Sequence, residues 1–356
     1  MARQIIIHPG FPKSGTTSLQ ASLMQAQSSL SDQGIFFNPA WNNAHHRPAW
    51  AVTNYVFGWN KNGGESTPIS AWENLVSEIE DAPKTALVTS EFLIQADEET
   101  VRRIKNDFGN VDFKIVFTLR AFAKILPSRY QQSLKKGRTW TYDEWLKSVF
   151  DSGFSKVNLT DYAEIIKKWA DIFGVENVSI VIADESNPEN LLRGFEIACG
   201  ISAGTLQPAK VKRLNRSLTE SEVEILRQVN LRKPKKWKWR QYNGFVRGKF
   251  VRTLSDNPSK FPNDQKLQLP AWAIDSLEPY SRDQISLLKN LGVDIQGDID
   301  ALLAKNNGVE STAQKLVPAE MAADIVIQLT SIQSLAETST RGLLKEVFKR
   351  VKKRFK

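Results

Sequence analysis

The chain of 356 residues has one cysteine, three histidines and three methionines. A single thiol, Cys199, permits no intrachain disulfide, so a buried core has to hold the fold and an oxidising compartment is not implied. Cys199 closes the apolar stretch Phe195 to Cys199 and reads as packing rather than as a nucleophile. No group of His, Cys and carboxylates has metal-ligand spacing, so no required metal is indicated. No apolar run approaches the ~18 residues of a membrane span, and Ile5-Ile6-Ile7 is far too short for a signal-peptide core. A cytoplasmic protein is expected. Internal repeats and low-complexity tracts are also missing.

What is present is ordinary globular composition, 41% hydrophobic and 24% charged, which excludes disordered and fibrous classes. The net charge of +9 is local. Arg341 to Lys356 holds eight basic residues and one acidic, and Lys210 to Arg252 holds fourteen and three, which leaves the rest of the chain at −9. In the first segment Leu343, Leu344, Val347, Phe348, Val351 and Phe355 share one helical face and cations fill the others. That is the pattern of an interfacial helix on anionic lipid, so peripheral attachment to the inner membrane face through 341–356 is expected. In the second, Lys235-Lys236-Trp237-Lys238-Trp239-Arg240 interleaves cations and indoles, as an acidic glycan or anionic headgroup would require. No nucleic-acid module accompanies it, so nucleic acid is not an expected partner.

Short β-branched runs alternate with longer helical patterns, the signature of parallel strands joined by crossover helices. The spacing predicts strands at Gln4 to His8, Thr85 to Thr89, Phe113 to Leu119 and Val178 to Ala183. It predicts helices at Thr17 to Leu30, Glu98 to Phe108, Ala121 to Lys136 and Asp161 to Phe173, with stops at Gly34, Gly109, Gly137 and Gly174. Beyond Ala183 the pattern is mainly helical, with Thr219 to Leu231, Arg282 to Leu291 and Pro318 to Leu335 clearest. Asn38 to Thr67 and Lys233 to Leu269 read as loops.

Ligands of open α/β sheets bind beyond the carboxyl ends of the strands. The first such loop runs Gly10-Phe11-Pro12-Lys13-Ser14-Gly15-Thr16-Thr17-Ser18. Its glycines have the separation of the phosphate-binding pattern G-x-x-x-x-G-K-[ST], but Thr16 stands where the lysine belongs and Lys13 lies inside the loop. Glycines let backbone N–H groups converge on an anion at a helix N-terminus, and the hydroxyl run adds donors. A lysine nearer the loop apex can neutralise charge on a leaving oxygen.

Pro12-Lys13-Ser14-Gly15-Thr16-Thr17-Ser18-Leu19-Gln20 resembles the 5′-phosphosulfate loop of bacterial sulfotransferases that use 3′-phosphoadenosine 5′-phosphosulfate (PAPS). The resemblance implies a P-loop NTPase-like α/β fold of three layers with a central parallel sheet, followed by a helical C-terminal extension. It implies that Lys13 contacts the bridging oxygen while Ser14, Gly15, Thr16, Thr17 and Ser18 hold the phosphosulfate. The family's 3′-phosphate motif has an Arg at a strand end and a Ser eight positions later; Arg120 and Ser128 reproduce that spacing, with Ala121-Phe122 where many members carry Asp-Pro or Asn-Pro. Bacterial members often have an Asn/Arg/Ser stretch before a later helix, which implies Arg213 or Arg216 as a closing cation over that phosphate. Domain limits of 1–310 for the transferase and 311–356 for C-terminal helices are expected.

A sulfuryl acceptor loses a proton as it attacks, which calls for a positioned base. Glu91, just beyond the strand Thr85 to Thr89, is the best-placed carboxylate, and family members use Glu or His there. His8 ranks second, and His45 and His46 are candidates for contacting an acceptor. Trp41, Trp50, Trp59 and Trp72 are candidates for the acceptor wall, since indole faces suit sugar rings. The expected activity is transfer of the sulfuryl group to a hydroxyl or amine of a carbohydrate or glycolipid. The rival readings are a P-loop small-molecule kinase and a membrane-associated nucleotide-binding protein without catalysis.

Overall fold

The computed structural model describes residues 4–39, 44–59, 63–82, 84–154, 161–184, 187–209, 216–256, 264–303 and 322. Trp41, Arg213, the boundary near residue 310, all but residue 322 of the helix expected at Pro318 to Leu335, and the basic tail 341–356 lie outside the described residues.

Six parallel strands form one sheet: β1 (Gln4–His8), β2 (Ile35–Phe36), β3 (Thr85–Thr89), β4 (Asp112–Leu119), β5 (Val178–Ile182) and β6 (Asp294–Gln296), in the order β2-β3-β1-β4-β5-β6. The four strands expected from sequence are the central ones. Both edge strands escaped the sequence pattern because two or three residues are too short to show a period. β1 pairs with β3 on one side and β4 on the other, Ile7 lying opposite Val88 and Ile115. The chain thus leaves β1 for one half of the sheet and later returns to the other half, which puts the loop after β1 at the crevice where strand order reverses.

The helices are α1 (Thr16–Gln25), α2 (Gln27–Asp32), α3 (His46–Val52), α4 (Ser70–Glu80), α5 (Glu98–Asp107), α6 (Phe122–Lys135), α7 (Tyr142–Asp151), α8 (Tyr162–Phe173), α9 (Pro188–Cys199), α10 (Glu220–Arg232), α11 (Trp239–Tyr242), α12 (Arg252–Asp256) and α13 (Ala271–Asn290). Strand alternation sorts the core into two layers. Ile5 and Ile7 point into one with Val88, Ile115, Trp169 and Leu277, while Ile6 points into the other with Leu87, Val116, Leu19 and Phe195. Helices therefore cover both faces of the sheet, the three-layer arrangement expected.

Four readings need correction. The helix expected at Thr17 to Leu30 is two helices, broken where Ala26 leaves helical geometry at φ −90° and ψ 8°. The stretch read as loop from Lys233 to Leu269 contains a helix from Trp239 to Asp256 whose middle, Asn243–Val251, is π-wound. Its apolar positions follow neither a 3.6 nor a 2.0 period, because a π turn shifts the register of the face. Likewise α3 lies inside the other expected loop, and α13 begins eleven residues before the predicted Arg282. At the start of α10 Thr219 and Glu222 form a capping box, each supplying the other's backbone N–H with an acceptor.

A candidate anion-transfer site at the switch point

The loop between β1 and α1 is held from below by a buried polar network. His8 has no solvent exposure; its Nδ1 lies 2.8 Å from Thr89 Oγ1 and its Nε2 3.2 Å from Thr118 Oγ1. Ser14 is equally enclosed, its hydroxyl donating to the Phe11 carbonyl at 2.6 Å and lying 2.7 Å from Thr118 Oγ1. These hydroxyls and the imidazole tie β1, β3, β4 and the loop to one another. Burial pushes the His8 pKa down to about 3, so the ring is neutral here. His8 is thus a support of the loop, and Ser14, expected among the phosphosulfate ligands, faces inward instead because Phe11 and Thr118 engage its hydroxyl.

The rest of the loop opens upward. Gly15 is the N-cap of α1 at φ 91°, and it supplies no side-chain cap. Helix geometry gives the amides of Thr16, Thr17 and Ser18 no intrahelical acceptor, and no acidic residue stands in the first turn to compete for an anion. Thr17 and Ser18 are exposed and Thr16 is buried. Backbone shape fixes the glycines: a Cβ at Gly10 would stand 2.8 Å from both His8 Nε2 and Thr16 Cγ2, and one at Gly15 2.6 Å from Leu191 Cδ2. Lys13 adopts φ 73°, a left-handed conformation that a non-glycine residue holds at a cost of about 1–3 kcal/mol and that clusters at functional sites. These features make a cradle with open amides and a lysine at its apex, which fits a phosphosulfate.

Arg120 follows β4 and donates from Nη1 to the Lys13 carbonyl at 3.0 Å. Its own carbonyl accepts from Tyr162 Oη at 2.7 Å, and Tyr162 in turn stacks on Phe122, the first residue of α6. Ser128 lies two turns into α6, half-buried, with no side-chain hydrogen bond among the described residues. The pair is thus carried by a strand end and the helix that follows, as the spacing predicts. Arg216 is elsewhere engaged: it is an ion pair with buried Glu222 at 2.5 Å and also donates to the Leu254 carbonyl. Its expected role as a closing cation therefore competes with a role in fastening α10 to α12.

Glu91 is placed by the turn after β3. The Ser90 amide donates to the His8 carbonyl at 3.1 Å, and Ser90 Oγ lies 3.0 Å from His46 Nδ1. Glu91 Oε2 stands 3.7 Å from His46 Nε2 and is buried with no hydrogen-bond partner among the described residues. The charges of Glu91, Arg120 and Arg129 all reach Lys13, whose pKa is lowered chiefly by burial. Lys13, Arg120 and Glu91 therefore meet above three adjacent strands, β1, β4 and β3. His46 was expected only to contact an acceptor; the structure adds that it flanks Glu91. One residue that sequence did not single out, Arg129, also reaches this place, because side-chain direction from a helix is set by packing and not by spacing.

The tryptophans divide. Trp50 packs with His46, Tyr55, Phe57 and Phe92 beside Glu91. Trp72 is instead a core residue whose Nε1 donates to Asp107 Oδ2 at 2.7 Å. Trp59 bonds the Lys136 carbonyl and packs on Trp239 and Tyr242.

A parallel α/β sheet with a glycine-bounded loop at its switch point defines a fold of the P-loop-like class. The sulfotransferase domain family matches residues 3–182, the stretch that holds the loop, Glu91, Arg120 and Ser128. The chain belongs to that family, and its class of activity is sulfotransfer. The crystal structure of a sulfotransferase from Alicyclobacillus acidocaldarius aligns over 60% of this chain and 86% of that one, at 16% identity and a TM-score of 0.41. No curated protein gives a significant match.

Proposed function

We propose that the protein transfers the sulfuryl group of PAPS to a hydroxyl or amine, most suitably of a carbohydrate or glycolipid. The observation that supports this reading is the convergence of Lys13, Arg120 and Glu91 over a cradle of uncapped amides. The donor supplies an activated sulfur whose bond to the phosphate oxygen breaks as the acceptor oxygen or nitrogen attacks in line. Thr16, Thr17 and Ser18 bind the phosphosulfate through the amides of the first turn, with the helix dipole in support. Lys13 offsets charge on the departing oxygen, and Arg120 with Ser128 holds the 3′-phosphate. Glu91 accepts the acceptor's proton at Oε2, which faces no competing donor within hydrogen-bond distance. No helix among the described residues is long and apolar enough to cross a membrane, so attachment is proposed to be peripheral, from the cytoplasmic side, through 341–356.

Titration calorimetry with 3′-phosphoadenosine 5′-phosphate and with ATP tests the donor. Tighter binding of the former is expected, and preference for ATP would remove PAPS from this reading. Transfer of labelled sulfate to a panel of glycans and glycolipids then tests the acceptor class.

A further inference from the structure

One enclosed cation near the base has no partner in the reading just given. Arg129 follows Ser128 on α6, and its Nε and Nη2 atoms are buried with no hydrogen-bond partner among the described residues. Glu91 does not satisfy it, for no hydrogen bond joins the two, although the carboxylate's charge reaches the guanidinium. Two buried guanidinium donors left without acceptors are costly, and a bound anion would complete them.

The surroundings say what that is. Arg129 senses the Tyr55 and Tyr162 hydroxyls, and its charge reaches Lys13 and Lys136. Tyr55 follows α3, the helix that carries His46 beside Glu91, so this wall belongs to the acceptor side of the base. A second cation comes from the π-wound turn: the Arg247 guanidinium lies 5.5 Å from the Phe57 ring centroid and 5.9 Å from that of Trp239, and its charge also reaches Tyr55 and Lys136. π turns are rare and frequent at functional sites. The donor's own anionic groups are accounted for by the loop amides, Lys13, Arg120 and Ser128.

We propose that Arg129, with Arg247, forms an oxyanion subsite for the acceptor, so that the molecule sulfated carries a carboxylate or phosphate close to the group Glu91 deprotonates. A neutral acceptor would leave the guanidinium orphaned inside a filled cleft, whereas an acidic one completes it with charge-assisted hydrogen bonds. Discrimination of this kind is large because the penalty falls on the wrong substrate.

The subsite rests on the sulfuryl-transfer reading, and one experiment separates their failures. Protein saturated with 3′-phosphoadenosine 5′-phosphate is titrated with three disaccharides, one carrying a glucuronate, one a phosphate and one neutral. At least one acidic probe is expected to bind tenfold or more tightly than the neutral one, and which does so distinguishes carboxylate from phosphate. Arg129→Gln is expected to erase that preference while nucleotide affinity stays within twofold. Equal or undetectable binding of all three probes to the wild-type complex overturns the subsite alone. So does an Arg129→Gln protein that keeps the acidic preference but loses the nucleotide, since Arg129 would then serve the donor. A wild-type chain that fails to bind the nucleotide overturns the donor reading and the subsite together.

Discussion

Arg120 and Lys13, 107 positions apart in sequence, are joined by a hydrogen bond of 3.0 Å from the guanidinium to the lysine carbonyl. The bond ties the strand-end arginine to the strained apex of the anion loop, so the two proposed phosphate sites are parts of one rigid unit. Replacing Arg120 removes both a phosphate ligand and a strut. Arg120→Ala is expected to weaken binding of 3′-phosphoadenosine 5′-phosphate by about ten- to a hundredfold, the worth of a charged hydrogen bond of ~1.5–3 kcal/mol. Calorimetry checks this, and unchanged affinity would exclude Arg120 from the nucleotide site.

Glu91→Gln preserves size and removes the base. Turnover should fall by about 10²–10⁴-fold, the usual contribution of a general base, while nucleotide affinity is retained. Full activity in a sulfate-transfer assay would take Glu91 out of that role and leave His46, 3.7 Å away, as the group to examine.

Gly15→Ala adds a methyl 2.6 Å from Leu191 Cδ2 at a backbone φ of 91°. Nucleotide binding should be lost or greatly weakened with a lowered melting temperature, because the cradle cannot keep its shape. Gly63→Ala is a useful contrast, since its Cβ would meet nothing within 4 Å although its φ of 87° is equally left-handed. Donor affinity in that variant should equal wild type, any loss being confined to stability.

Acid should destabilise the fold well above the range where carboxylates titrate. Burial depresses His8 to about 3 and His45 to about 4, so the native state refuses protons that the unfolded chain accepts below pH ~6.5. Stability is therefore complete above pH ~6.5 and declines as pH falls toward those native values, by up to about 1.4 kcal/mol per pH unit for each ring. Urea unfolding at pH 7.5 and 5.5 measures the slope. His8→Asn should flatten it, and a slope unchanged by that substitution would contradict a neutral buried His8.

Deleting 341–356 is expected to weaken binding to anionic vesicles several-fold without loss of sulfate transfer to a water-soluble acceptor. Equal vesicle binding by the full and shortened chains in a sedimentation assay would refute the tail as a lipid contact.

Much of this architecture is determined by local sequence. Ile5-Ile6-Ile7, Thr85 to Thr89 and Val178 to Ile182 are short β-branched runs between helical periods, and such a pattern admits hardly anything but a parallel sheet with crossovers. Gly10, Lys13 and Gly15 mark the anion loop because backbone conformation there depends on residue type. The Arg120 and Ser128 spacing and the carboxylate at Glu91 are equally local, Arg120 and Glu91 each following a strand end whose place on the ligand edge is set by fold class. Tertiary structure decided the rest. It turned Ser14 into a buried strut, paired Arg216 with Glu222, set His46 beside Glu91 and left Arg129 unsatisfied at the cleft. A π-wound helix brought Arg247 over Phe57 and Trp239 from a stretch that read as loop. Periodicity fixes which element a residue occupies, but the direction and partner of a side chain depend on packing against residues far away in the chain.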